Sequence, residues 1–151
     1  GYLFLDSTGD ACVGFLAGAD FDASGFHMGN SNIWNFRDTK ERVEFPSCPW
    51  ALDLSDRPFP GRNKKVEEDT RFDRFSGWYW ESGFNRDIIK DAELVRDNNF
   101  RAMYGAWHVV KNVDKSKPNA EIRYSHFQAG KRESRRLLGD VILNTQHLLS
   151  G

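Results

Sequence analysis

Two cysteines in 151 residues, Cys12 and Cys48, are too few for a framework of disulfides. Four histidines, His27, His108, His126 and His147, lie scattered without metal-ligand spacing, so no metal site is expected. No stretch approaches the roughly 18 apolar residues of a membrane span, and no membrane partner is expected. Neither sign of charge dominates. With 21 Lys and Arg against 22 Asp and Glu, the formal net charge is −1, which gives no global pull toward nucleic acid. A Gly-x-Gly-x-x-Gly turn, the usual cradle for a dinucleotide pyrophosphate, is missing too. There is no signal-peptide pattern. In an excised chain that would carry no information on compartment, and the lean is only toward the cytoplasm.

What is present is a globular composition, 39% apolar and 14% aromatic, at a length that suits one domain. The organising stretch is the first. Tyr2-Leu3-Phe4-Leu5 is apolar enough for a strand buried on both faces. Asp6-Ser7-Thr8-Gly9-Asp10 then makes a polar turn, and Ala11 to Ala19 is a run of small and apolar residues that predicts a helix with Cys12 as a buried thiol. Ser7, Thr8 or Asp10 could cap that helix, and such an end can also hold an anion.

Further along, residues 20 to 35 are rich in Gly, Ser, Asn and Asp and read as a connecting loop. Ile33–Phe36 and Arg42–Phe45 suit the two strands of a hairpin. Pro46, Pro49, Pro58 and Pro60 predict an irregular excursion over 46–63. Asn63 to Asp73 is highly charged and reads as a solvated segment. In Trp78-Tyr79-Trp80-Glu81, a strand would put Trp78 and Trp80 on one face, either as core or as a stacking platform for a ring. The clearest periodicity runs over 86–111. It brings Ile88, Ala92, Val95, Ala102, Ala106 and Val110 together, joined by Ile89, Met103 and Trp107. Asn85 is the expected cap and Asn112 the left-handed exit. Asp114–Asn119 reads as a turn and Glu121–Phe127 as a strand. The basic run Lys131–Arg136 is an exposed helix start, a loop, or an anion cradle built from arginine forks. Leu137, Leu138 and Val141–Leu143 are expected in the core, and Asn144 or Thr145 is expected to cap a last helix.

Leu5-Asp6-Ser7-Thr8-Gly9-Asp10 followed by Leu16-Ala17-Gly18-Ala19 resembles the "DATGD…LAGA" segment of bacterial FAD-dependent oxidoreductases, with Ser7 in place of the usual alanine. Trp78-Tyr79-Trp80-Glu81 resembles the aromatic run of that family. Asp91-Ala92-Glu93 with Arg96-Asp97 is similar to its long helix, and Gly130-Lys131-Arg132-Glu133-Ser134-Arg135-Arg136-Leu137-Leu138-Gly139-Asp140 to its most distinctive string. The resemblance implies a middle piece of a larger flavoprotein lacking the Gly-rich half. It implies that Asp6, Thr8, Gly9 and Asp10 lie by FAD, with turn N–H groups facing phosphate or ribose. Trp78, Trp80, Glu81, Arg132, Glu133, Arg135 and Arg136 would lie toward a small-molecule substrate. Glu81 and Glu133 are acid–base candidates on residue type alone.

The expected fold is α+β, a small mixed or antiparallel sheet with one long helix. Residues 1–20 would belong to an FAD-binding domain, 21–128 to a substrate domain, and 129–151 to a return segment. Taken alone, the stretch is expected to be inactive, to bind no FAD, and to self-associate through residues 2–19. The competing expectation is a carbohydrate-binding module that stacks sugars on Trp34, Trp50, Trp78 and Trp80.

Overall fold

Alternation along one strand sets the core. The computed structural model describes residues 3–23, 28–59, 62, 77–132 and 134–149, the side chains of 77–79 excepted. In chain order it has α1 (Cys12–Leu16), β1 (Phe21–Ala23), β2 (Asn30–Asp38), β3 (Gly77–Ser82), α2 (Ala92–His108), a π-helical turn (Val109–Val113), β4 (Ala120–Ser125), β5 (Arg135–Leu137) and α3 (Thr145–Leu149). One long helix and antiparallel sheets make this an α+β fold, as the sequence leads one to expect.

β2 is the middle strand of a sheet ordered β3-β2-β4, antiparallel to both neighbours. Asn30, Asn32, Trp34 and Phe36 are buried along it, whereas Ser31, Ile33, Asn35 and Arg37 are not. This is the period of two that a one-sided sheet requires. α2 covers the buried face with Val95, Asn99, Ala102, Met103, Ala106 and Trp107. The Trp107 ring meets Trp34 edge-on at 5.4 Å and Phe36 at a tilt, also at 5.4 Å. Such aromatic pairs contribute about 0.5–1.5 kcal/mol beyond the area they bury.

The irregular segment 43–59 adds Leu54 and Phe59 to the same core, with Phe45 and Leu52 at its edge. Its crossing of α2 depends on Gly105. A Cβ at that position would lie 2.1 Å from the Leu52 carbonyl oxygen, and the Leu52 N–H donates to the Arg101 carbonyl at 2.9 Å. Glycine inside a helix is about 1 kcal/mol worse than alanine. Here the backbone of another segment occupies the space an alanine needs.

The π-helical turn buries three consecutive residues, Val109, Val110 and Lys111. The Lys111 ammonium donates to the carbonyls of Lys117 at 3.0 Å, Pro118 at 2.7 Å and Ala120 at 2.7 Å. Burial pushes its pKa below the ordinary lysine value. The three carbonyls fill its donor set and close the 114–119 turn.

Several expectations are corrected. Leu3, Phe4 and Leu5 form no strand and lie 94%, 86% and 88% exposed. No described strand offers them a register, so their apolar character finds no sheet to enter. The predicted helix over 11–19 is confined to Cys12–Leu16. It ends where Gly18 takes φ +81°, a left-handed turn that glycine adopts without a Cβ penalty. Residues 20–35 are no plain loop, since β1 and the start of β2 fall there. Arg42–Phe45 is not a strand, because β3 and β4 already flank β2 on both edges. The long helix begins at Ala92 rather than near 86. Asp87, not Asn85, holds the preceding turn, accepting from the N–H groups of Ile89 and Lys90 at 3.0 Å each. The left-handed residue after the helix is Lys115, not Asn112. Arg135–Leu137 is a strand rather than a helix start or loop, paired with β1. Leu137, Leu138 and Val141–Leu143 are exposed, not core. The last helix is held as expected, with the His147 N–H donating to Asn144 Oδ1 at 3.1 Å. The charged stretch 63–73 lies outside the described residues.

Candidate functional site

The turn before α1 is built around one carboxylate. Asp6 Oδ1 accepts from the Thr8 N–H at 3.0 Å and the Thr8 hydroxyl at 2.7 Å, and Asp6 Oδ2 accepts from the Gly14 N–H at 2.9 Å. Thr8 Oγ1 in turn accepts from the Cys12 N–H at 2.8 Å. Asp6 and Thr8 thus satisfy helix-end donors that sequence reasoning gave to Ser7, Thr8 or Asp10. These hydrogen bonds, the one from Gly14 foremost, lower the Asp6 pKa from 3.8 to about 2. Gly9 sits at φ +79° with open space where a Cβ would point.

Asp10 does something else. It is buried, and its carboxylate is paired with the Lys131 ammonium. Arg135 donates through Nε to the Asp10 carbonyl at 3.1 Å. Its guanidinium carbon lies 4.0 Å from the centre of the Phe15 ring, and Nη2 reaches Cys12 Sγ at 3.5 Å. Cys12 is therefore half-buried beside a cation rather than enclosed in a core. One residue on, Arg136 makes a two-pronged pair with Asp22 at 2.9 and 3.0 Å, across the β1–β5 ribbon. Alternation in β5 sends these neighbouring arginines to opposite sides. Arg132 turns away, donating to Met28 Sδ at 3.4 Å. Glu133 lies outside the described residues.

Beside this junction a groove of about 640 Å³ is lined by Phe15, Leu16, Phe21, Ile88, Ile89 and Arg135 among others. Its size falls within the usual range for small-molecule sites. The structure brings Asp10, Lys131 and Arg135 together and sets Asp6, Thr8 and Gly9 next to them. Trp80 and Glu81 are elsewhere. Both are half-buried in β3, where Trp80 faces Asn32 in the register and packs against the main core. Trp78 stands opposite Trp34 in that register, and its side chain is outside the described residues. Trp34 and Trp107 are buried, and Trp50 lies half-exposed against Tyr104 at 4.9 Å. The described tryptophan side chains form no exposed row.

Comparison with family models, curated proteins and solved structures finds no match to this chain. Two features escaped the sequence reading. The contact of Arg135 with Phe15 spans 120 residues and leaves no spacing signal. A second polar cluster does leave one. Asn99 falls four residues from both Val95 and Met103 on the buried stripe of α2. Its Nδ2 donates to the Asn30 carbonyl at 2.8 Å and to Asn32 Oδ1 at 2.9 Å, and its Oδ1 accepts from Ser82 Oγ at 2.6 Å. An asparagine on an apolar stripe signals a buried network, because a buried amide needs partners.

Proposed function

We propose that this chain is part of an FAD-dependent oxidoreductase acting on a small molecule, and that it is inactive by itself. What supports the reading is the junction of the two strings that carry the family resemblance. The 6–19 turn and helix meet the 131–139 string through Asp10 with Lys131 and through Phe15 with Arg135. When bound, FAD supplies the redox chemistry, and the protein supplies binding and orientation.

The turn does not fit a pyrophosphate as it stands. The N–H groups of Cys12 and Gly14, which a phosphate would take, already donate to Thr8 and Asp6. In the proposed enzyme the phosphates are held outside this turn, and the junction serves to fix its position. Gly9, exposed and with open space where a Cβ would point, is the part of the turn proposed to face the dinucleotide. Trp78, Trp80, Glu81, Arg132, Glu133 and Arg136 remain candidates for the substrate side. Asp10 and Arg135 act on one another's segments.

The test is a flavin assay on the protein encoded by the full reading frame. The expected result is a yellow protein that releases FAD on denaturation, with flavin content lowered by Arg135→Ala. A colourless protein with no releasable flavin overturns the reading. The 151-residue chain is expected to show no micromolar binding in an FAD titration, because affinity for a dinucleotide is expected to come from both halves of a split site and the Gly-rich turn of the other half is missing.

A further inference from the structure

The groove of about 640 Å³ beside the α1 junction has mostly apolar walls, with Phe15, Leu16 and Phe21 on the ribbon side and Ile88 and Ile89 from the turn before α2. Its charged lining is Asp87, Lys90 and Arg135. Lys90 answers Asp87 at 3.9 Å, so the surplus charge is the Arg135 guanidinium. That group lies between two other wall residues, 4.0 Å from the centre of the Phe15 ring and with Nη2 at 3.5 Å from Cys12 Sγ. Arg135 is half-buried, and no described carboxylate pairs with it, since Asp10 is engaged by Lys131 and Asp22 by Arg136. Its Nε is spent on the Asp10 carbonyl, while its Nη1 donates to no described residue. A cation drawn partly out of water is costly unless an anion answers it. Ser134, the next residue in the lining, is only 9% exposed. Its hydroxyl bonds to no described residue and is not among the polar atoms sealed from solvent, so it stays accessible in the groove.

We propose that this groove is a binding site for a small carboxylate with an apolar tail, in its simplest form a medium-chain fatty acid. The carboxylate brings the charge that Arg135 lacks and two acceptor oxygens. Arg135 Nη1 and the Ser134 hydroxyl are the donors for them. The tail belongs along the apolar walls. Leu16 is 83% exposed there, and Phe15 and Phe21 about two-fifths, so covering them removes apolar surface from water. A compact anion such as phosphate would use Arg135 and leave those walls wet. An uncharged apolar molecule would cover the walls and leave the guanidinium unanswered. Only a ligand with both parts answers the whole lining, and the volume is that of an ordinary small-molecule site.

The inference does not rest on the flavin reading and is tested on the 151-residue chain itself, so either can fail alone. Octanoate is the probe. It is compared with octanol, which keeps the chain and loses the charge, and with acetate, which keeps the charge and loses the chain. Titration followed by amide chemical shifts is expected to show saturable binding of octanoate, with the largest changes at Cys12, Phe15, Ser134 and Arg135. Octanol and acetate are each expected to bind at least about tenfold more weakly, as follows from losing a charge-assisted hydrogen bond or the apolar contact. Bound octanoate is also expected to slow alkylation of Cys12, which lines the groove, and not of Cys48, which does not. Arg135→Gln is expected to remove the preference for octanoate over octanol. The comparison of the three probes needs no substitution, so it stands even if Arg135→Gln disturbs the ribbon. The site is overturned if octanoate does not bind, if octanol or acetate binds equally well, or if the changes map away from Phe15 and Ser134. A groove covered instead by Leu3–Leu5 of a second copy would produce the first of these results.

Discussion

The body formed by β2, β3, β4 and α2 and the ribbon formed by α1, β1 and β5 are held together by different forces. In the body, Trp34, Met103 and Trp107 are 1% exposed and Ala106 is fully buried. In α1 no residue is buried, and Phe15, Phe21 and Leu137 are each about two-fifths exposed. The ribbon is joined instead by Lys131 with Asp10, Arg136 with Asp22 and Arg135 over Phe15. The exposed Arg136–Asp22 pair contributes about 0–1 kcal/mol, the largely buried Lys131–Asp10 pair gives back much of its attraction as desolvation cost, and cation–π contacts at exposed sites contribute about 0.5–1 kcal/mol. Burying a large side chain contributes several times as much. The body therefore sets global stability, and the ribbon opens at a lower cost.

Substitutions should separate the two. Trp107→Ala has the largest expected effect, a loss of about 3–5 kcal/mol in denaturant unfolding, because it empties the space between Trp34 and Phe36. A loss below 1 kcal/mol would mean that the core does not rest on that ring. Gly105→Ala comes next, at about 1–3 kcal/mol after subtracting the gain in helix propensity. Unchanged stability would show that the 51–54 backbone can move aside. Arg135→Ala should cost under about 1 kcal/mol globally while raising amide exchange throughout 12–23 and 135–138. If exchange in the body rises equally, the two regions unfold as one.

Leu3, Phe4 and Leu5, together with the open groove beside Phe15, leave apolar surface uncovered in the ribbon. Such surface drives association. Light scattering is expected to show concentration-dependent self-association that Leu3→Lys removes. A monomer at high concentration with or without the substitution would refute it.

The smallest effect is local and depends on pH. The folded Asp6 pKa, about 2, lies below its ordinary 3.8. Its stabilisation of the turn is therefore complete above that ordinary value and is lost as pH falls toward the folded one. A carboxyl titration by NMR should place the Asp6 midpoint near the lower value, with the Gly14 amide shift following it. A midpoint at the ordinary value would mean that the turn does not hold the carboxylate.

Legibility divides along the same boundary. The apolar stripe that runs from Val95 along α2 and into the π-helical turn at Val110 was readable, because a period of 3.6 survives in sequence whenever one face is buried. β4 and the Asn144 cap were readable for similar local reasons. The Leu3–Leu5 strand was misread because apolar character says that a segment can be buried, not that a partner is there to bury it. Arg135–Leu137 was misread because a strand of three residues carries no periodicity and exists only through its pairing with Phe21–Ala23. Of the candidate site, the residue types at Asp10, Lys131 and Arg135 were singled out by resemblance. Their pairing was invisible, since contacts across more than 100 residues leave no local trace. Asn30 was passed over inside a run of Asn and Ser that reads as loop.

Gly105 has a consequence for how the sequence can change over time. Position 105 and the path of residues 51–54 are a single inherited unit, although about fifty positions separate them. While that path persists, every side chain at 105 is rejected, however well it suits a helix. A deletion or reroute of the 46–59 segment would lift the constraint at once and turn the glycine into an unfavourable relic, open to replacement by alanine. Related chains should therefore keep both features or lose both, and a chain with alanine at this position is expected to carry a different crossing segment.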